Sequence, residues 1–309
     1  MNKDLNITFI ICTYNRAAYL DDTLHSMLQQ NFNEGSVEIL VVDNNSEDDT
    51  DVIVKNFMDR DASSRITISY CLEKEKGLSH ARNRGINEAK TDNLVFIDDD
   101  ILATKGFISN WLSFFQNYGE FNAAGGKIHV QFDESKPKWA SHFLLSLFGH
   151  HNLGNKIKSY PPNKYPFGGN MGFRRHIFSK AGKFNTDLGR KGKKLTANEE
   201  KDLFNRIKAL DEPILYLPDA ALYHRIGEER ATKEYIRKQA EGMGRSISTQ
   251  VQGSSKRKVK HFLTEIFKTS VSLGLFVVYL FGFSPSKGFM LLKFRYWILQ
   301  GYLSGSGKI

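Results

Sequence analysis

A chain of 309 residues can build one large core or two domains, and 40% hydrophobic with 25% charged residues is a globular composition that excludes pervasive disorder. The two cysteines, Cys12 and Cys71, sit in separate apolar runs without clustered histidines, which excludes a disulfide framework or a zinc site. The net charge of +9 belongs to the tail: residues 233–309 hold 13 Lys/Arg against 3 Asp/Glu, and the rest holds 30 against 31, so a uniformly basic nucleic-acid-binding surface is excluded.

The polar start, Met1 to Asn6, runs straight into a strand without the apolar stretch of a signal peptide, so the body of the chain is expected in the cytoplasm. The first half then repeats a strand-turn-helix unit. Ile7 to Thr13 reads as a strand, followed by a helix with Leu20, Leu24, Met27 and Leu28 on one face and Asn15 as its cap. Glu38 to Val42 is the second strand, ending in Asp43-Asn44-Asn45-Ser46. Ser46 and Asp49 have capping-box spacing for a helix with Val52, Ile53 and Phe57 on one side. Thr67 to Leu72 is the third strand, and Gly77 precedes a helix with Leu78, Ala81, Gly85, Ile86 and Ala89 on one face. The fourth strand, Leu94 to Ile97, breaks into Asp98-Asp99-Asp100. A βαβαβαβ order implies a mostly parallel sheet with right-handed crossovers, so Thr13, Asp43 and Asp98 to Asp100 converge on the carboxyl edge, where such sheets bind ligands. Three like charges there call for a cation, and hard divalent ions characteristically bridge carboxylates to a substrate diphosphate.

Beyond Asp100 the pattern loosens. Phe107 to Gln116 reads as a helix, and the aromatic region from Trp139 to Tyr165 as a substrate-facing loop or packing. Phe167 to Phe173 reads as a glycine-bearing turn and a strand. Asn198 to Leu210 is a helix opening on Glu199, Glu200 and Asp202, and Ile214 to Leu217 is a buried strand before Tyr223-His224-Arg225. From Lys233 the chain is basic and helical. Thr269 to Ser286 carries no charge for 18 residues but contains glycines, a proline and serines, short of the about 20 apolar residues a spanning helix needs. With the aromatic, cationic run after it, this segment suits a helix or re-entrant hairpin in a membrane interface, or a packing or oligomerising tail.

Taken in order, Thr13-Tyr14-Asn15-Arg16, Asp43-Asn44-Asn45-Ser46, Gly77 to Asn83, Asp98-Asp99-Asp100, Gly168-Gly169-Asn170 and Asn198 to Leu203 resemble the motifs of family 2 glycosyltransferases. The resemblance covers about residues 7 to 230. It implies an α/β fold of the GT-A nucleotide-diphospho-sugar transferase type, with a mostly parallel Rossmann-like sheet and here a helical C-terminal tail. It implies inverting transfer from a nucleotide-sugar donor, uridine being the family's commonest base, assisted by Mg²⁺ or Mn²⁺. Residues 1–232 would form the catalytic domain, nucleotide-binding to about residue 100 and acceptor-binding beyond it, and 233–309 the tail.

On this resemblance Thr13, Tyr14, Asn15, Arg16, Asp43 and Asn45 surround the nucleotide, and Gly77, Arg82 and Asn83 lie by the diphosphate at a helix start. Asp98 and Asp100 form the D-x-D element around ribose and metal with Asp99 between them, and His224 stands where relatives have a third metal ligand. Gly169 and Asn170 fall at the junction of donor sugar and acceptor. The base maps onto Glu199-Glu200, with two glutamates where Glu-Asp is commoner, so either can be the base. Local uses compete: an Asx turn for Asp43, solvation for Arg82, and complementing the helix dipole for Glu199 and Glu200. The expected partners are a nucleotide sugar, a glycan or lipid-linked acceptor, and a membrane surface through residues 255–309 at its cytoplasmic face. No nucleic acid is expected, and a homo-oligomer is left open. A phosphohydrolase using Asp98 and Asp100 is the rival enzyme, although its aspartates normally follow the first strand. A membrane scaffold with a degenerate nucleotide site is the non-enzymatic rival.

Overall fold

The computed structural model describes residues 6–59, 65–189, 198–251 and 255–306, so Met1 to Leu5 and residues 307–309 of the tail lie outside the described residues. The chain divides into two compact units, one of Met1–Val130 with Gly149–Arg225, the other of Gln131–Phe148 with Ile226–Ile309.

In the first unit the strands β1 (Asn6–Thr13), β2 (Ser36–Asp43), β3 (Ile66–Leu72) and β4 (Asn93–Ile97) alternate with helices α1 (Ala17–Leu28), α2 (Thr50–Met58) and α3 (Leu78–Glu88). The four strands are parallel, ordered β3-β2-β1-β4, with Thr13 paired to Asp43 and Ile11 to Ile97. Side-chain alternation divides the core between the two faces. Phe9, Ile11, Ile39 and Val41 join Leu20, Met27 and Phe57 on one side, while Ile10, Leu40 and Val42 join Ala81 and Ile86 on the other. A glycine in α3 permits close packing on that second side: a Cβ at Gly85 would lie 2.4 Å from Ile10 Cγ2.

The later half adds β5 (Ile101–Ala103), α4 (Phe107–Asn117), β6 (Ala123–Phe132), β7 (Lys158–Ser159), β8 (Asn170–Arg174), α5 (Ile177–Ala181), α6 (Glu199–Lys208) and β9 (Ile214–Ile226). These extend the sheet as β4-β8-β6-β9-β5, and the pairs β4-β8, β6-β8 and β5-β9 are antiparallel. The fold is thus the expected α/β sheet, with a parallel first half and antiparallel strands beyond it. The strand expected at Ile214 to Leu217 runs on to Ile226, and its pairing of His224 with Ile101 carries the histidine to the aspartate turn.

Three local expectations are corrected. Ser46 does not cap α2, which starts at Thr50 after Asp49. Its buried face is Thr50, Val54 and Phe57, which leaves Val52 exposed. Asn15 does not cap α1. The amide of Ala17 instead donates to Asp48 Oδ2 at 3.0 Å, so the cap is supplied by the loop after the neighbouring strand. The region from Trp139 to Tyr165 contains a 3₁₀ helix, His142–Phe148, as well as β7.

In the second unit, helices α7 (Lys233–Val251), α8 (Ser255–Phe281) and α9 (Pro285–Ser306) pack together. Small residues join α7 to α9. A Cβ at Gly244 would lie 2.1 Å from the Ile298 carbonyl oxygen, and one at Gly301 the same distance from that of Glu241. Helix α8 folds against α9 through a 4.8 Å ring contact of Phe276 with Phe289, and Arg295 Nε donates to Ser272 at 3.3 Å. At their junction Phe283 has φ +52° and is 96% exposed.

Candidate active site

At the carboxyl edge the three aspartates diverge. Asp99 is buried beneath Thr13, whose hydroxyl donates to it at 2.8 Å, and beside Arg16 Nε at 3.4 Å. Burial pushes its carboxyl up to about 7, against the pull of Arg16. Asp100 accepts from Arg16 at 2.7 Å and lies 3.2 Å from His224 Nε2. Its backbone carbonyl takes the Arg225 amide at 2.8 Å, fixing β9 to the turn. Thr23, one helix away, clamps the same turn: its hydroxyl lies 2.9 Å and 3.0 Å from the Asp99 and Ile101 carbonyl oxygens and accepts from the Ile101 amide.

Asp98, Asp100 and His224 each offer a ligand atom, and these atoms all lie within 4.8 Å of one another. Two carboxylates and an imidazole fit a divalent cation of the Mn²⁺ or Mg²⁺ class. The close approach of His224 to Asp100 supports that fit, since one proton or one cation can be shared there.

The exit of β2 is tied down by its own loop. Asp43 accepts from the Ser46 amide at 2.8 Å and from the Tyr70 hydroxyl at 2.9 Å. Asn44 takes the Gly77 amide at 2.7 Å and donates to the Glu73 and Glu75 carbonyls, joining the exits of β2 and β3. Asn15 and Asn45 both adopt positive φ, and Asn15 accepts from the Glu47 amide at 2.7 Å. Tyr14 is held by Lys76, which donates to its hydroxyl at 3.2 Å and sits 5.2 Å from its ring centre.

The second acidic pair meets α3. Arg82 is buried and bonds Glu199 Oε1 at 3.0 Å, lies 3.5 Å from Glu200 Oε1 and stacks on Phe184. Glu199 is 3% exposed at its side chain, whereas Glu200 keeps 21%. Burial pushes Glu200 up to about 7, opposed by Arg82 and reinforced by the charge of Glu199. Asn83, also on α3, is spent on backbone: it donates to the Phe184 carbonyl at 2.8 Å and accepts from the Phe184 amide at 2.9 Å.

Two adjacent glycines join the acidic groups. A Cβ at Gly168 would lie 2.2 Å from Glu200 Oε1 and 2.3 Å from Arg82, and one at Gly169 would lie 2.5 Å from Asp98 Oδ2. The next residue, Asn170, is fully buried and donates to the Lys127 and Ala220 carbonyls. The structure therefore brings Asp98, Asp100, His224, Gly169 and Glu200 into one neighbourhood, linked through Asp99 and Arg16 to Thr13. Asp43 and Asn83 are engaged locally. Sequence reasoning missed Thr23, Asn44, Tyr70 and Lys76. Asn44 stood inside a quoted motif, but the others depend on register and rotamer, which no spacing reveals.

Residues 8–182 match the profile of Glycosyl transferase family 2. A glucosyl-dolichyl phosphate glucuronosyltransferase of Haloferax volcanii is 24% identical over 237 residues, which is 75% of this chain and 73% of that protein. The succinoglycan biosynthesis protein ExoM of Rhizobium meliloti is 25% identical over 239 residues, 77% of this chain and 72% of its own. Among solved structures, a mannosyltransferase from Pyrobaculum calidifontis in complex with GDP-Man and Mn²⁺ superposes with a TM-score of 0.61 at 14% identity, covering 97% of this chain and 86% of that one. The fold is therefore of the GT-A type. The profile spans more than half of the sequence, and the chain belongs to glycosyl transferase family 2.

Proposed function

We propose that the chain is an inverting, metal-dependent glycosyltransferase that moves a sugar from a nucleotide-diphosphate donor, uridine being the expected base, to a glycan or lipid-linked acceptor. The observation that carries this reading is the Gly168-Gly169 turn, whose missing side chains let Glu200 and Asp98 approach the same stretch of backbone. A sugar held there would have a base on one side and the diphosphate-binding carboxylates on the other, as a single displacement requires.

Glu200 is the base. It retains exposure and sits only loosely against Arg82, whereas Glu199 is buried in a tight pair. As the acceptor hydroxyl oxygen attacks the anomeric carbon, Glu200 takes its proton, the bond from that carbon to the diphosphate breaks, and the configuration inverts. Asp98, Asp100 and His224 would hold a divalent cation, which when bound would offset the charge on the leaving diphosphate. Thr13, Tyr14, Asn15, Arg16, Asp43 and Asn45 line the nucleotide side with Gly77, while Asp99 holds Thr13 and Arg16 in place. Arg82 braces the base helix, Asn83 fixes the Phe184 backbone against α3, and Gly169 and Asn170 bound the sugar.

Residues 1–232 are assigned to catalysis and 233–309 to attachment at the cytoplasmic face of a membrane. Support comes from α8, where Val259–Phe281 is long and apolar enough to cross a membrane by length and composition, with 6% of its most apolar window buried. The dolichyl-phosphate substrate in the name of the Haloferax relative favours a lipid-linked acceptor. A thermal-shift screen of nucleotide sugars with and without Mn²⁺ tests the reading. One donor class should stabilise the fold only with metal, and NMR of the product should show an inverted anomeric centre. Retained configuration, or donor binding indifferent to metal, would refute it.

A further inference from the structure

Resting on the membrane reading above, we propose that α8 lies in the plane of one leaflet of an anionic bilayer and does not cross it. The face that α8 turns outward is apolar over most of its length. Phe262, Ile266, Phe267, Leu273, Val277 and Phe281 recur at helical spacing and are 44–78% exposed. The charges between them point elsewhere: Glu265 pairs with Lys268 at 2.7 Å and faces Arg295 of α9 at 3.8 Å. Helix α9 is less divided: Phe289, Tyr296, Leu299 and Leu303 are exposed on one side, where Lys293 is exposed among them, and the buried Met290, Leu291 and Ile298 lie on the other, so the apolar face is that of α8.

A crossing hairpin is disfavoured by what holds α9. From Ile298 to Gly305 it is locked against α7, which carries Arg237, Glu241 and Arg245 in ion pairs and cannot enter hydrocarbon. Only Pro285 to about Trp297 is left to return across a core roughly 30 Å thick, and at 1.5 Å per residue that segment is too short. Lys287, Lys293 and Arg295 would also be drawn through the membrane.

The occupant is named by charge. Lys256-Arg257-Lys258 and Lys260 open α8 immediately before the apolar stripe, in a unit whose tail is strongly cationic. This pairing suits anionic headgroups over acyl chains, and a second copy of the same cationic surface would repel it.

The test uses the full chain on sealed vesicles of phosphatidylglycerol and phosphatidylethanolamine, with Phe262→Cys, Val277→Cys or Phe283→Cys labelled by a membrane-impermeant maleimide. The unsubstituted chain serves as the blank for Cys12 and Cys71. The protein should float with the vesicles, and all three positions should be protected from external reagent about tenfold relative to vesicle-free protein. Reagent trapped in the lumen should label none of them. Labelling of Phe283→Cys from the lumen would mean that the hairpin crosses. External labelling of all three on floated protein would mean surface adsorption, and protection without vesicles would mean self-association. Any of these outcomes overturns the inference while leaving the membrane reading standing. Failure to float overturns that reading itself, and equal flotation on neutral phosphatidylcholine overturns the anionic partner.

Discussion

The two acidic clusters of the site are built on one plan. In each, an arginine joins neighbouring carboxylates and one acid is given over to architecture. Asp99 holds Thr13 and Arg16, leaving Asp98 and Asp100 to face His224. Glu199 holds Arg82, leaving Glu200 beside Gly168. The clusters differ in what the arginine balances. Arg16 is partly exposed and spans two aspartates in a turn, whereas Arg82 is buried among core residues of α3. A buried guanidinium cannot lose its proton and is costly to leave unpaired, so Glu199 is fixed by necessity and Glu200 is free to titrate.

The sharpest way to break this division is to compare the two glutamates. Glu200→Gln should lower kcat by about 10²–10⁴-fold with donor affinity unchanged, as loss of a general base requires. Glu199→Gln should instead lower the unfolding midpoint and spare much of kcat, and equal losses of kcat would dissolve the distinction. Because the base must be ionised in the free enzyme, kcat/KM should rise with pH and level off above about 7. On the other cluster, Asp100→Ala should cost about 10²–10³-fold in turnover and abolish stabilisation by Mn²⁺, read by thermal shift.

Arg82→Met should destabilise the fold by roughly 3–5 kcal/mol in chemical denaturation, because it strands Glu199 in the core. In the fraction that folds, the pH inflection should move upward, since Arg82 opposes protonation of Glu200. The smallest expected effect is that of Thr23→Val, about 1–2 kcal/mol of stability from lost bonds to the Asp99 and Ile101 backbone. An unchanged stability would show that Thr23 does not hold the turn.

The parallel half was legible because its information is local: apolar runs of strand length, helical spacing between them, and carboxylates where a run ends. Thr13, Asp43 and the three aspartates reach a common edge by topology alone. What stayed hidden depends on partners distant in the chain. Strand β9 is long because β5, more than a hundred residues earlier, pairs with it at His224. Arg82 read as a surface or phosphate-binding cation because nothing near it in sequence announces Glu199 as its counter-ion. The unequal burial of Glu199 and Glu200 turns on which side of α6 meets α3, and the capping of α1 by Asp48 turns on the approach of a neighbouring loop.

The glycine seam between α7 and α9 has a consequence for the tail. Where Gly244 and Gly301 bring backbones almost into touch, cohesion comes from van der Waals fit, which does not depend on expelling water and so persists in an oily medium. The contact itself is therefore little affected by an apolar medium lying beside it, while the charges of α7 keep that helix in water. On the membrane reading proposed above, α8 would exchange water for lipid without loosening the seam of the helices that carry it.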